Sequence, residues 1–102
     1  MTELEIKKQM GKRLKDIRLI RRLSQEQVGA ICGVTFQQIQ KYEKGRNGIS
    51  SYRLLQLCHG LNVSEFYFLK GLKPELQNFG SSTNVSQNQE CTLAEKTLEN
   101  DM

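Results

Sequence analysis

Four polar side chains crowd into one short segment, TFQQIQKYEKG, at Gln37, Gln38, Gln40 and Lys41. A glutamine amide gives one hydrogen bond and accepts another, which matches the N6 and N7 pattern of an adenine edge. A lysine ammonium suits a guanine edge or a phosphate. This is the chemistry of recognition, and the rest of the chain offers little for reaction. His59 directly follows Cys58, and a neighbour pair cannot complete a metal site. Three cysteines, Cys32, Cys58 and Cys91, match neither a zinc spacing nor a thioredoxin-like pair, so buried or idle thiols are expected. No nucleophile, base and orienting residue can be assembled, so no enzyme, cofactor or metal is expected.

The elements that must position these side chains fit one domain, because 102 residues with 37% hydrophobic content and no Trp build one compact core. The opening MTELEIKKQMGKRL lacks the apolar run of a signal peptide. No later stretch approaches the ~18 apolar residues of a membrane span, so a cytoplasmic protein without a membrane partner is expected. Charge is spread unevenly: Glu5 to Gly71 holds 13 Lys and Arg against 5 Asp and Glu, while residues 72–102 hold 2 against 5. The first part has the balance of a polyanion binder, although a solvated basic face would fit the same numbers.

Ile6, Met10, Leu14 and Ile17 recur at helical spacing and predict a first helix from about Glu5 to Arg21 or Arg22. Ser24 with Gln27 forms a capping-box pattern for a second helix from Gln25 to Cys32, stopped by Gly33. Thr35 with Gln38 repeats the pattern for a third helix, Phe36 to Lys44, with Gly45 beyond it. Ser50 or Ser51 opens a fourth helix ended by Gly60, and Ser64 opens a short fifth ended by Gly71. After Pro74 the composition turns to Asn, Gln, Ser and Thr, which bury too little to offset backbone ordering. A polar, mobile tail over 72–102 is expected, with LAEKTLEN able to form a turn or two of helix against something packed on Leu93 and Leu98.

Two short helices can cross closely only with a small contact residue on the first, a sharp link and a shared apolar set. Gly29, Gly33 and the group Val28, Cys32, Val34, Ile39 and Tyr42 supply these within LSQEQVGAICGVTFQQIQKYEKG. This spacing, with surplus positive charge and polar uncharged residues outside the third helix, resembles the Cro and repressor (XRE) family of helix-turn-helix proteins. The resemblance covers about two thirds of the chain. It departs at Gly29, where Ala is usual, at a helix-propensity cost of around 1 kcal/mol. The resemblance implies an all-α, five-helix DNA-binding domain over residues 5–71.

It further implies that the third helix lies in the major groove with Thr35, Phe36, Gln37, Gln38 and Lys41 toward the bases. Gln37 is the first choice as reader. Gln38 is divided between reading and capping, Lys41 between guanine and phosphate, and Phe36 between a thymine methyl and packing on the second helix. Gln25 matches the family's phosphate-contacting glutamine, and Arg46, Asn47, Ser50, Ser51 and Arg53 would meet neighbouring phosphates. Arg18 and Glu43 look like the family's internal ion pair and are structural on that reading. One domain makes few base contacts, so a homodimer on double-stranded DNA is expected, with Tyr67, Phe68, Leu69 and Leu72 as its surface. A transcriptional regulator, most simply a repressor, is the leading function. An antitoxin-like protein would bind a protein partner through the tail, and a thiol sensor would need Cys32 or Cys58 exposed.

Overall fold

In the computed structural model, which describes residues 1–76, α1 runs Glu3–Ile20, α2 Gln25–Cys32, α3 Phe36–Glu43, α4 Ser51–Leu61 and α5 Glu65–Leu69. The fold is all-α, with no strand among the described residues. Leu72 to Leu76 of the expected tail are described, whereas residues 77–102, including Cys91 and LAEKTLEN, lie outside the described residues.

Four of the five helices, α1 to α4, begin where a side chain satisfies a backbone N–H that has no partner within the helix, whereas Ser64 precedes α5 without a side-chain bond. Ser24 Oγ accepts from Gln27 N at 3.1 Å while Gln27 Oε1 accepts from Ser24 N at 2.7 Å, closing the box expected for α2. The same arrangement starts α1 two residues earlier than its apolar period suggests. Thr2 Oγ1 accepts from Glu5 N at 3.1 Å and Glu5 answers to the Thr2 amide at 3.3 Å. These bonds to Thr2 hold the Glu5 carboxyl below its ordinary value. Thr35 and Ser50 cap α3 and α4 with one bond each, to Gln38 N and Arg53 N. Gln38 makes no return bond to Thr35, so α3 lacks the complete box that its sequence suggests.

Helix ends show what each glycine does. Gly33 takes the left-handed conformation at φ +70° and closes α2, which a residue with a Cβ would adopt only under strain. Gly60 does not close α4. It lies inside the helix, where an added Cβ would collide with Ile31 of α2, and Asn62 at φ +55° ends the helix instead.

Core burial follows from these crossings. Leu14 and Ile17 of α1 meet Val28 and Cys32 of α2, Ile39 and Tyr42 of α3, Leu54, Leu57, Cys58 and Leu61 of α4, and Phe68 of α5. Phe68 is completely buried, so it cannot belong to the dimer surface expected for it. Of that group only Leu69 is well exposed, at 47%, while Tyr67 and Leu72 are half-buried. Tyr67 packs edge-on to Phe68 with ring centroids 5.2 Å apart, and its hydroxyl donates to the Arg13 carbonyl at 2.8 Å.

Three arginines bind the helix ends together. Arg13 donates to the Phe68 carbonyl at 2.9 Å, Arg21 to the Leu61 and Asn62 carbonyls at 2.9 and 3.1 Å, and Arg53 to the Cys32 carbonyl. Each places positive charge where C-terminal carbonyls concentrate negative potential.

Candidate nucleic-acid interface

The link between α2 and α3 packs tightly against α2. A Cβ on Gly29 would lie 2.5 Å from the Val34 carbonyl oxygen, so the backbone of the turn rests directly on α2. Val34 is half-buried against the core, and Ile39 and Tyr42 anchor the inner side of α3. That anchoring sets which residues face outward. Thr35, Phe36, Gln37 and Lys41 are exposed, Phe36 at 38%, whereas Gln38 and Gln40 are half-buried. The four polar side chains therefore do not stand out equally, because Gln38 and Gln40 flank the buried Ile39 while Gln37 and Lys41 lie one turn apart on the open side.

The opposite end of α3 is fixed to α1. Arg18 Nε donates to Glu43 Oε2 at 2.7 Å and Arg18 Nη2 to Glu43 Oε1 at 3.1 Å, a two-pronged pair whose side chains are only 10% and 5% exposed. Arg18 also donates to the Leu23 carbonyl at 3.0 Å. Glu43 Oε1 takes a third bond from Gln25 Nε2 at 3.2 Å. The guanidinium and carboxylate are thus each satisfied inside the protein, which is the condition for burying them. Beside the pair, a Cβ on Gly11 would come within 2.7 Å of the Glu43 carbonyl oxygen, so α1 and α3 touch backbone to backbone. Neither Gly11 nor the Thr2 box was singled out from the sequence. The Thr-x-x-Glu spacing was a readable signal for the box, whereas nothing local marks Gly11, whose partner lies far along the chain.

The expected phosphate contacts divide in two. Arg46, Asn47, Ser50 and Ser51 are exposed along the loop from α3 into α4. Gln25 begins α2 and is half-buried, its amide nitrogen directed to Glu43. Arg53 is half-buried and its Nη1 is already engaged inside the protein, donating to the last carbonyl of α2 and to Gln56 Oε1 at 2.9 Å. Gln25 also lines a polar cleft of about 410 Å³ with Lys15, Arg18, Ser24, Gln40, Glu43 and Lys44.

The cysteines depart from what a thiol sensor requires. Cys32 and Cys58 are 1% and 2% exposed, and burial pushes both thiols above their ordinary pKa of 9.0, with nearby Arg53 partly offsetting the effect on Cys32. A buried, protonated thiol is a poor nucleophile toward oxidants. His59 is exposed beside an apolar groove of about 520 Å³ formed by Ile31, Tyr52, Leu55, Gln56 and Gly60. No helix among the described residues is long and apolar enough to cross a membrane.

Comparison with known proteins agrees with this geometry. A family model described as helix-turn-helix matches residues 14–68. A helix-turn-helix-type transcriptional regulator of Sinorhizobium fredii is 39% identical over 71 residues, covering 70% of this chain and 50% of its own length. The chain spans about half the length of the curated relatives it matches. Among solved structures, a helix-turn-helix family transcriptional regulator from Vibrio cholerae is similar with a TM-score of 0.62 and 26% identity, covering 67% of this chain and 38% of that one. The restriction-modification controller protein C.AhdI from Aeromonas hydrophila shares the fold at a TM-score of 0.58 and 24% identity, over 61% of this chain and 94% of that one.

Proposed function

This chain belongs to the helix-turn-helix family, and from that premise we propose that it is a DNA-binding transcriptional regulator that reads an operator sequence as a dimer and represses from it. The observation that carries the reading is the division of α3: one end is locked to α1 through Arg18 and Glu43, leaving Gln37 and Lys41 on a rigid, uncommitted face. A helix backbone held this way loses little freedom on docking, which favours base readout over loose attraction. In this reading Thr35, Phe36, Gln37, Gln38 and Lys41 face the bases of the major groove. Gln37 makes the principal base contact and Lys41 meets a phosphate or guanine. Gln25, Arg46, Asn47, Ser50 and Ser51 hold the backbone, while Arg53 positions α4 from within.

A second protomer doubles the few contacts that one α3 can make, and Leu69 with the half-buried Tyr67 and Leu72 supplies the surface for it. The protein works in the cytoplasm, on the nucleoid when bound. Repression follows most simply from occupying a promoter in competition with RNA polymerase.

Selection of bound duplexes from a random pool at about 150 mM salt tests the reading. An inverted repeat with half-sites roughly 10 bp apart is expected, and Gln37→Ala should weaken it selectively. Binding without sequence enrichment would leave only shape recognition, and failure to bind DNA would overturn the function. Sedimentation as a monomer, both free and on the best duplex, would overturn the dimer.

A further inference from the structure

The arginines of the first helix are taken up by internal bonds, and three of its four lysines are in none among the described residues. Arg13 and Arg18 reach carbonyls and Glu43, whereas Lys8, Lys12 and Lys15 are all exposed. Among the described residues the ion pairs are Lys7–Glu3 and Arg18–Glu43, so none of these three lysines is in one. At 3.6 residues per turn, positions 8, 12 and 15 fall within an arc of about 60° on one side of α1. Of the acids of the helix, Glu3 lies on another side and is paired with Lys7; Glu5 and Asp16 border the arc, but Glu5 is tied to Thr2, and Asp16 lies near enough to Tyr67 for its charge to help raise that phenol.

The row runs beside the proposed interface. Lys15 and Lys44 line the same polar cleft as Gln25. A Cβ on Gly45 would fall 2.8 Å from Lys8 Cα, so the loop carrying Arg46 lies directly on the start of the row. Lys44 follows Lys41 by three positions at the end of α3, which connects the row to the reading helix. A row of ammonium groups outside any ion pair among the described residues, beside the proposed phosphate contacts, suits a polyanion with regularly spaced charges, and a duplex docked on α3 is such a polyanion.

We propose that Lys8, Lys12 and Lys15 form a backbone track on α1 that contacts phosphates of the same DNA duplex outside the segment read by α3. This rests on the DNA-binding reading above and adds a second, sequence-independent contact surface. Each ammonium that meets a phosphate releases condensed counterions, so the track appears in the salt dependence of binding and not in base preference.

The test compares two doubly substituted proteins that lose the same charge. Lys12→Gln/Lys15→Gln removes part of the track, and Lys70→Gln/Lys73→Gln removes exposed lysines beyond α5. Each is titrated against the best selected duplex and against a random-sequence duplex of equal length across a salt series, with melting temperatures measured in parallel. The track variant should lower the slope of log affinity against log salt by about 2 and weaken binding on the order of ten-fold at about 150 mM salt, on both duplexes and with melting unchanged. The control pair should leave the slope within about half a unit of wild type. An unchanged slope in the track variant, or an equal fall in both, would overturn the track while leaving operator binding intact. Wild-type protein that bound neither duplex would overturn both readings together.

Discussion

The side of α3 that meets α1 and the side that faces away share eight residues and are built on opposite terms. Toward α1, Glu43 accepts two hydrogen bonds from Arg18, Tyr42 is buried, and Gly11 leaves no room for a methyl group. Away from it, Gln37 and Lys41 are exposed and make no side-chain bond among the described residues. The difference shows how a helix of only eight residues can hold a surface in register. Immobility comes from one end and one edge, so the outer residues are free to be chosen for what they contact.

Breaking the locked side should have the largest effect. Glu43→Ala strands the Arg18 guanidinium in a nearly buried site and should cost about 3 to 5 kcal/mol of stability in a denaturant titration. An unchanged midpoint would mean the pair is dispensable and the comparison is misdrawn. Next in size, Arg53→Ala should cost roughly 1.5 to 3 kcal/mol, because the Cys32 carbonyl loses a charged donor. If that variant instead kept its stability and bound DNA less well, Arg53 would belong with the outward residues. On the open side, Gln37→Ala should leave folding within about 0.5 kcal/mol of wild type and reduce discrimination between operator and single-base variants by about 1 to 3 kcal/mol. A loss of stability there would show that the outer face is not free.

The smallest effect expected is alkaline. Burial raises the folded pKa of Cys32 and Cys58 above 9.0 and of Tyr67 above 10.0. The unfolded chain therefore gives up these protons first. Stability should be unaffected by these groups below pH 9 and should fall as pH rises beyond it. Denaturant midpoints at neutral pH and at two values above 9 would reveal the decline, and a flat profile would show that these groups ionise alike in both states.

What could be read from the sequence depended on how local the physics was. The Ser24 and Gln27 box and the Gly33 stop are complete within ten residues, and α2 has the limits they specify. Gly60 misled because a glycine both ends helices and admits close neighbours. The deciding fact, Ile31 pressed against it from α2, lies nearly thirty positions away. Phe68 misled for a related reason: in FYFL every residue is apolar, and only the position of Leu14 and Ile17 determines which one turns in. Arg53 could not have been separated from Arg46 by type or spacing, since its partner is a backbone carbonyl 21 residues earlier. On the candidate interface, the outward residues of α3 followed from helical period, while the inequality between Gln37 and Gln38 required the observed burial of Ile39.

The contact of Phe68 and Arg13 across the domain also bears on how the protein is made. Synthesis proceeds from the N-terminus, so α1, α2 and α3 emerge before the residue that seals their common core. Until Phe68 is added, Leu14 and Ile17 lack one wall of their enclosure, and Arg13 lacks the carbonyls at positions 67 and 68 that it grips in the finished domain. A nascent chain stalled before that point would carry the whole recognition motif on an open, sticky bundle. Arrival of α5 is thus the step that closes the core and gives Arg13 its acceptors.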